Sequence, residues 1–160
     1  MNNLEFAIKM ELDGQKYYLE QANKNKGNNI EKVFLLLAEA EKEHAALLSK
    51  RLKEEDYILD ATNLTEIKSV FHGLKDYKAS DVRKTTQLDV YRLAVDIEEK
   101  SIELYKEMLD EASSDKDKEL FNFLLEEENQ HLLMFEELQK MLTRPEEWVE
   151  SAEFGVREDY

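Results

Sequence analysis

Apolar residues recur at steps of three and four along almost the whole chain. No segment alternates apolar and polar residues over several positions, so the pattern predicts helices and no sheet. Four long helical segments emerge. The first runs from about Asn3 to Asn25 and stops at Asn23-Lys24-Asn25-Lys26-Gly27, where Gly27 can take the left-handed conformation that closes a helix. The second is capped by Asn28 or Asn29, carries Glu31 in its first turn and fades after Glu55. A third starts near Thr85 or Thr86, with Asp89 in capping-box position, and ends at about Glu111. Ser113 and Ser114 then cap a fourth, which reaches about Leu142. Short turns join the first helix to the second and the third to the fourth, so each pair is an antiparallel hairpin. Residues 56–84 form a long crossover with a short helix around Leu64–Leu74, and Pro145 opens a short C-terminal helix within residues 143–160. The expectation is an all-α four-helix bundle over residues 1–142.

Polar residues interrupt the apolar stripes at corresponding places. The first helix presents Leu4, Ala7, Ile8, Glu11, Gln15, Tyr18 and Ala22; the third presents Tyr91, Ala94, Val95, Glu98, Ile102, Tyr105 and Leu109. A glutamate breaks each row at mid-helix. On the second helix Phe34, Leu37, Glu41, His44 and Leu48 share a face, and on the fourth Phe121, Leu124, Glu128, His131 and Phe135 do. Shifting the chain on itself by 87 residues aligns 7–52 with 94–139 without a gap, so residues 4–55 and 91–142 are an internal repeat. The shift pairs Glu11 with Glu98, Tyr18 with Tyr105, Glu41 with Glu128 and His44 with His131.

Composition narrows the chemistry. With 37 acidic and 22 basic residues the formal charge is −15, which repels nucleic acid and anionic membrane and attracts cations. The chain has no cysteine, so disulfides, thiolate metal sites and rubredoxin-type iron centres within it are excluded. The longest apolar run, Val33–Ala38, is far short of the roughly 20 residues of a membrane helix, and the N-terminus lacks signal-peptide character. The expectation is a soluble, cytoplasmic protein that engages neither nucleic acid nor membrane.

Four buried carboxylates converging with two imidazoles require compensation, because an unpaired buried carboxylate costs several kcal/mol or is driven to protonate. Two divalent cations supply it, since four negative charges and two doubly positive ions leave a neutral site. Oxygen and imidazole ligands in this number suit iron or manganese and also accept zinc. Glu11, Glu41, His44, Glu98, Glu128 and His131 are therefore the candidate ligands. Glu39, Glu43, Glu99, Glu126 and Glu127 flank them on other helix faces and read as solvated. His72, without an acidic residue at ligand spacing, reads as a surface or boundary residue. Trp148, Phe154 and Tyr160 read as covering a bundle end or a dimer contact.

One glutamate from each of two helices and one Glu-x-x-His from each of two others resembles the ligand set of the ferritin-like di-iron carboxylate proteins. The segments Ala38-Glu39-Ala40-Glu41-Lys42-Glu43-His44 and Asp96-Ile97-Glu98-Glu99-Lys100-Ser101-Ile102-Glu103-Leu104-Tyr105 are similar to rubrerythrins in particular. The resemblance covers residues 4 to about 142. It implies a ferritin-like bundle, two iron ions per chain, bridging roles for Glu41 and Glu128, and hydrogen bonds from Tyr18 and Tyr105 to ligand carboxylates. It also implies an oxidoreductase acting on peroxide or dioxygen with an external electron donor such as a rubredoxin, as a homodimer. Ferroxidase or iron-handling activity and a structural metal bundle use the same residues and stay open. Two departures from peroxide-reducing rubrerythrins are visible: no cysteine-bound iron accompanies the bundle, and Ala94, Val95, Ser101 and Ile102 stand where an extra carboxylate would neighbour Glu98.

Overall fold

The computed structural model describes residues 1–27, 29–60, 63–73 and 81–154, with backbone alone for 29, 81–86 and 144–154. Among the described residues five helices follow one another: α1 Asn3–Lys24, α2 Asn29–Leu52, α3 Leu64–His72, α4 Asp81–Glu111 and α5 Asp115–Phe154. α1 packs along α2 and α4 along α5, and the two hairpins meet along α1 and α4. α3, in the long connection, lies on α2. This is the all-α bundle that the apolar periodicity implies, with the two hairpins and long crossover of the ferritin-like arrangement that the resemblance implies.

Local chemistry sets the helix ends. The side chain of Asn2 accepts from the Glu5 backbone N–H at 2.8 Å and caps α1, whose end is closed by Asn25 and followed by Gly27 at φ +86°. Ser114 Oγ accepts from the Asp117 N–H at 3.1 Å and caps α5. Arg51, at the end of α2, grips Asp117 with both Nε and Nη2, tying the two hairpins together at that end of the bundle. α2 stops at Leu52 rather than near Glu55, because Glu54 turns to φ +59° and the Glu55 N–H folds back onto the Lys50 carbonyl.

Two other boundaries differ from expectation. α4 begins at Asp81, ahead of the threonine pair; the side chains of Thr85 and Thr86 are outside the described residues. α5 runs on through Pro145 to Phe154, so no separate C-terminal helix forms among the described residues. Pro145 deletes a single N–H from the ladder, and the bonds on either side carry the helix past it. The side chains of Trp148 and Phe154, and Tyr160 altogether, are outside the described residues.

The core lies in two parts. One contains Tyr18, Ile30, Phe34, Leu37, Ile67, Tyr91 and Phe135, with Tyr18 stacked on Phe135 at 5.7 Å and Phe34 tilted against it at 6.1 Å. The other is mostly aliphatic around Tyr105: Ala7, Leu48, Met108, Leu120, Phe121 and Leu124. Between them, at mid-helix, is a layer of buried polar side chains.

Candidate metal centre

Each helix of the four-helix core delivers its polar residues to that layer through the 3.6-residue period that placed them on an apolar stripe. α1 brings Glu11, α2 brings Glu41 and His44, α4 brings Glu98, and α5 brings Glu128 and His131. All six are at most 2% exposed. They fall into two overlapping groups, Glu11, Glu41, His44 and Glu128 on one side and Glu41, Glu98, Glu128 and His131 on the other, each able to offer atoms within 4.8 Å of one another. Glu41 and Glu128 belong to both.

The distances carry the same division. His44 Nδ1 lies 3.4 Å from Glu11 Oε2, 3.3 Å from Glu128 Oε1 and 4.0 Å from Glu41 Oε2. His131 Nδ1 lies 3.6 Å from Glu98 Oε1, 3.4 Å from Glu128 Oε1 and 3.4 Å from Glu41 Oε1. Glu41 thus turns one oxygen toward each imidazole, and Glu128 Oε1 stands between the two. Most of these separations are long for hydrogen bonds but suit donor atoms facing a common cation. Atoms about 2.1 Å from one ion stand about 3.0 Å apart at right angles and about 4.2 Å apart when opposite.

Unpartnered atoms test the fit further. Among the buried side-chain atoms without a hydrogen bond are Glu11 Oε2, Glu41 Oε1, Glu98 Oε2, both oxygens of Glu128, and Nδ1 of His44 and of His131. Buried polar groups are normally paired, so seven orphans in a single layer are compatible with donor atoms that could face cations. The other oxygens of Glu11 and Glu98 are held by tyrosines: Tyr105 Oη donates to Glu11 Oε1 and Tyr18 Oη donates to Glu98 Oε1 at 2.6 Å. Each tyrosine reaches the glutamate of the opposite hairpin and leaves its second oxygen free for an ion. The residues present fit a pair of metal ions.

Electrostatics of the metal-free cluster show the strain that cations would relieve. Burial pushes the Glu41 carboxyl well above the usual range, and Glu11, Glu128 and Glu98 add to it. Burial and then Glu128 push Glu98 up to about 7, against the pull of His131 and Tyr18. Burial opposes ionisation of Glu128 too, yet the closeness of His131 and His44 outweighs it and holds that carboxyl at about 2. Both imidazoles are raised well above their ordinary value; burial disfavours their charge, but adjoining carboxylates prevail, Glu11 foremost for His44 and Glu98 for His131. Burial, then Glu98 or Glu11, keeps Tyr18 and Tyr105 protonated and therefore donors.

Two residues belong to this layer that sequence reasoning missed. Glu127, read from the sequence as solvated, is only 7% exposed, and its Oε1 lies 2.8 Å from His44 Nε2. The ring of His44 comes from the opposite hairpin and covers it, which no single-helix pattern reveals. Gly14, buried on α1, leaves its space to Glu41: a Cβ there would stand 3.7 Å from the Glu41 carboxyl group. Glu39, Glu99 and Glu126 are exposed and Glu43 is half-buried. His72 is exposed at the end of α3, away from the cluster.

A ferritin-like bundle with a buried carboxylate and imidazole cluster able to hold metal is what the fold and the side chains define. The Rubrerythrin family model matches residues 2–139, and the chain belongs to that family. No curated protein and no solved structure matches the chain significantly. Among the described residues, no helix is long and apolar enough to cross a membrane.

Proposed function

We propose that the chain is a non-haem di-iron oxidoreductase that reduces peroxide or dioxygen with electrons from a donor outside these 160 residues. The observation that carries this reading is the sharing of Glu41 and Glu128 between two ligand groups that each have their own glutamate and their own histidine. Shared carboxylates hold two ions close enough to act together, where separate sites would not. Two ferrous ions would supply the two electrons that break an O–O bond.

The chain's own residues provide binding, orientation and exclusion of water. Glu11, Glu41, His44, Glu98, Glu128 and His131 would hold the ions. Tyr18 and Tyr105 fix the rotamers of Glu98 and Glu11 by donating to one oxygen of each. The aromatic layer of Tyr18, Phe34, Tyr91 and Phe135 on one side and the aliphatic layer around Tyr105 on the other close the cluster off from solvent. The chain carries no cysteine-bound iron, so a rubredoxin is a suitable class of donor, and a homodimer the expected assembly.

Stopped-flow mixing of iron(II)-loaded protein with hydrogen peroxide tests the proposal. Expected is a single burst of ferric absorbance that then stops, with cycling restored by a rubredoxin and its reductase. Absence of oxidation over minutes would remove the peroxide-reducing reading and leave iron handling or a structural metal bundle. Turnover of iron in large excess with dioxygen, without cycling on peroxide, would favour iron handling.

A further inference from the structure

The 87-residue repeat makes the site nearly symmetric: Glu11 corresponds to Glu98, Glu41 to Glu128, His44 to His131 and Tyr18 to Tyr105. The two imidazole rings stack across the centre, centroids 6.0 Å apart and planes 18° from parallel. Glu127 breaks that symmetry. Its counterpart 87 residues earlier is Ala40, also buried but with only a methyl group to offer. His44 therefore has a carboxylate oxygen 2.8 Å from its Nε2, and the position equivalent to Glu127 offers His131 no acceptor.

An imidazole bound to a metal through one nitrogen gains from a carboxylate on the other. The hydrogen bond fixes the tautomer that leaves the ligating nitrogen bare, locks the ring's orientation and strengthens it as a donor. Nδ1 of His44 is the nitrogen facing Glu11 and Glu128, and Nε2 is the one held by Glu127, so the bond has the required polarity. Glu127 comes from α5 and His44 from α2, so the contact also spans the two hairpins.

We propose that Glu127 is a positioning residue that makes the two metal positions unequal, so that the Glu11–His44 position binds its ion more tightly and fills before the Glu98–His131 position. The inference rests on the reading of the cluster as a two-metal centre. It divides the pair into a resident ion on the His44 side and a more exchangeable one on the His131 side, although every candidate ligand is repeated.

Anaerobic titration of the metal-free protein with cobalt(II), followed by visible absorption and calorimetry, tests it. Wild type should show two binding steps at least about tenfold apart, and Glu127→Ala should weaken the tighter step about 10- to 100-fold while leaving the other unchanged. Glu127→Gln, which keeps an acceptor for Nε2–H without the charge, should fall between them and carries the test if the alanine variant folds poorly. Nitrogen-15 NMR of the zinc-loaded protein supplies a readout that a merely structural role would not move. His44 should show a protonated Nε2 and a bare Nδ1 in wild type and Glu127→Gln, with that tautomer lost or mixed in Glu127→Ala. Two equal steps in wild type, unchanged steps in both variants, or equal weakening of both steps would overturn the proposal. Wild type that binds no cobalt at all would instead bring down the two-metal reading beneath it.

Discussion

The hydroxyl of Tyr18, on α1, donates to Oε1 of Glu98, on α4, at 2.6 Å, and so links the two hairpins inside the polar layer. Its repeat counterpart, Tyr105 to Glu11, runs the opposite way. Tyr18→Phe and Tyr105→Phe keep the rings and remove only the donors. Each should cost about 1–3 kcal/mol in chemical denaturation of the metal-free protein, the range for a buried carboxyl oxygen deprived of its partner. Since the pairs are related by the repeat, similar losses are expected, and a loss below about 0.5 kcal/mol in either would contradict the geometry.

Stability of the metal-free protein should fall as pH rises from about 5 to about 7. The folded-state value of Glu98 is raised from 4.5 to about 7, so its favourable contribution is complete below 4.5 and is lost as the pH climbs through 7. Glu41 and both imidazoles, also raised, act in the same sense. Glu128, held at about 2, works in reverse: its contribution is complete above 4.5 and fades as pH falls toward 2. Ions displace the protons on these groups, so the stabilisation by metal should grow with pH over the same window. Melting temperatures with and without zinc from pH 5 to 8 check both halves; metal stabilisation that shrinks as pH rises would be the contrary result.

Most of the architecture was legible because burial and periodicity agree. Glu11, Glu41, His44, Glu98, Glu128 and His131 lie on stripes that are otherwise apolar, so a helical reading alone brings them inward, and the structure does gather all six. Glu127 was hidden by its place in the acidic run Glu126-Glu127-Glu128, where only packing against the opposite hairpin distinguishes a buried carboxylate from an exposed one. A signal existed: the repeat sets Glu127 against Ala40, next to the strongly apolar stretch of α2, and a glutamate matching a core alanine needs a partner. The path of α5 through Pro145 was not legible, because proline disfavours a helix interior locally while neighbouring ladder bonds decide whether the helix continues.

Gly14→Ala should stabilise the protein by about 0.5–1 kcal/mol, because glycine inside a helix carries an entropic cost that alanine does not. The added methyl would sit 3.7 Å from Glu41, an ordinary contact distance, so metal binding should be preserved. A lower melting temperature would show that Glu41 needs the space.

Ser101 is buried one turn beyond Glu98 and donates to the Ile97 carbonyl. Ser101→Glu adds a further carboxylate near the cluster, which should destabilise the metal-free protein by roughly 1–3 kcal/mol. The cost should shrink when metal is present to neutralise it. Thermal melts of both forms check this, and peroxide turnover with an external donor should be faster in the variant than in wild type.

The iron content of protein loaded anaerobically with excess ferrous iron and then freed of unbound metal tests the central claim most directly. About two ions per chain are expected for wild type, and at most one for Glu128→Ala, which removes a carboxylate common to both ligand groups. One ion or none in wild type, or two retained in Glu128→Ala, would contradict the account.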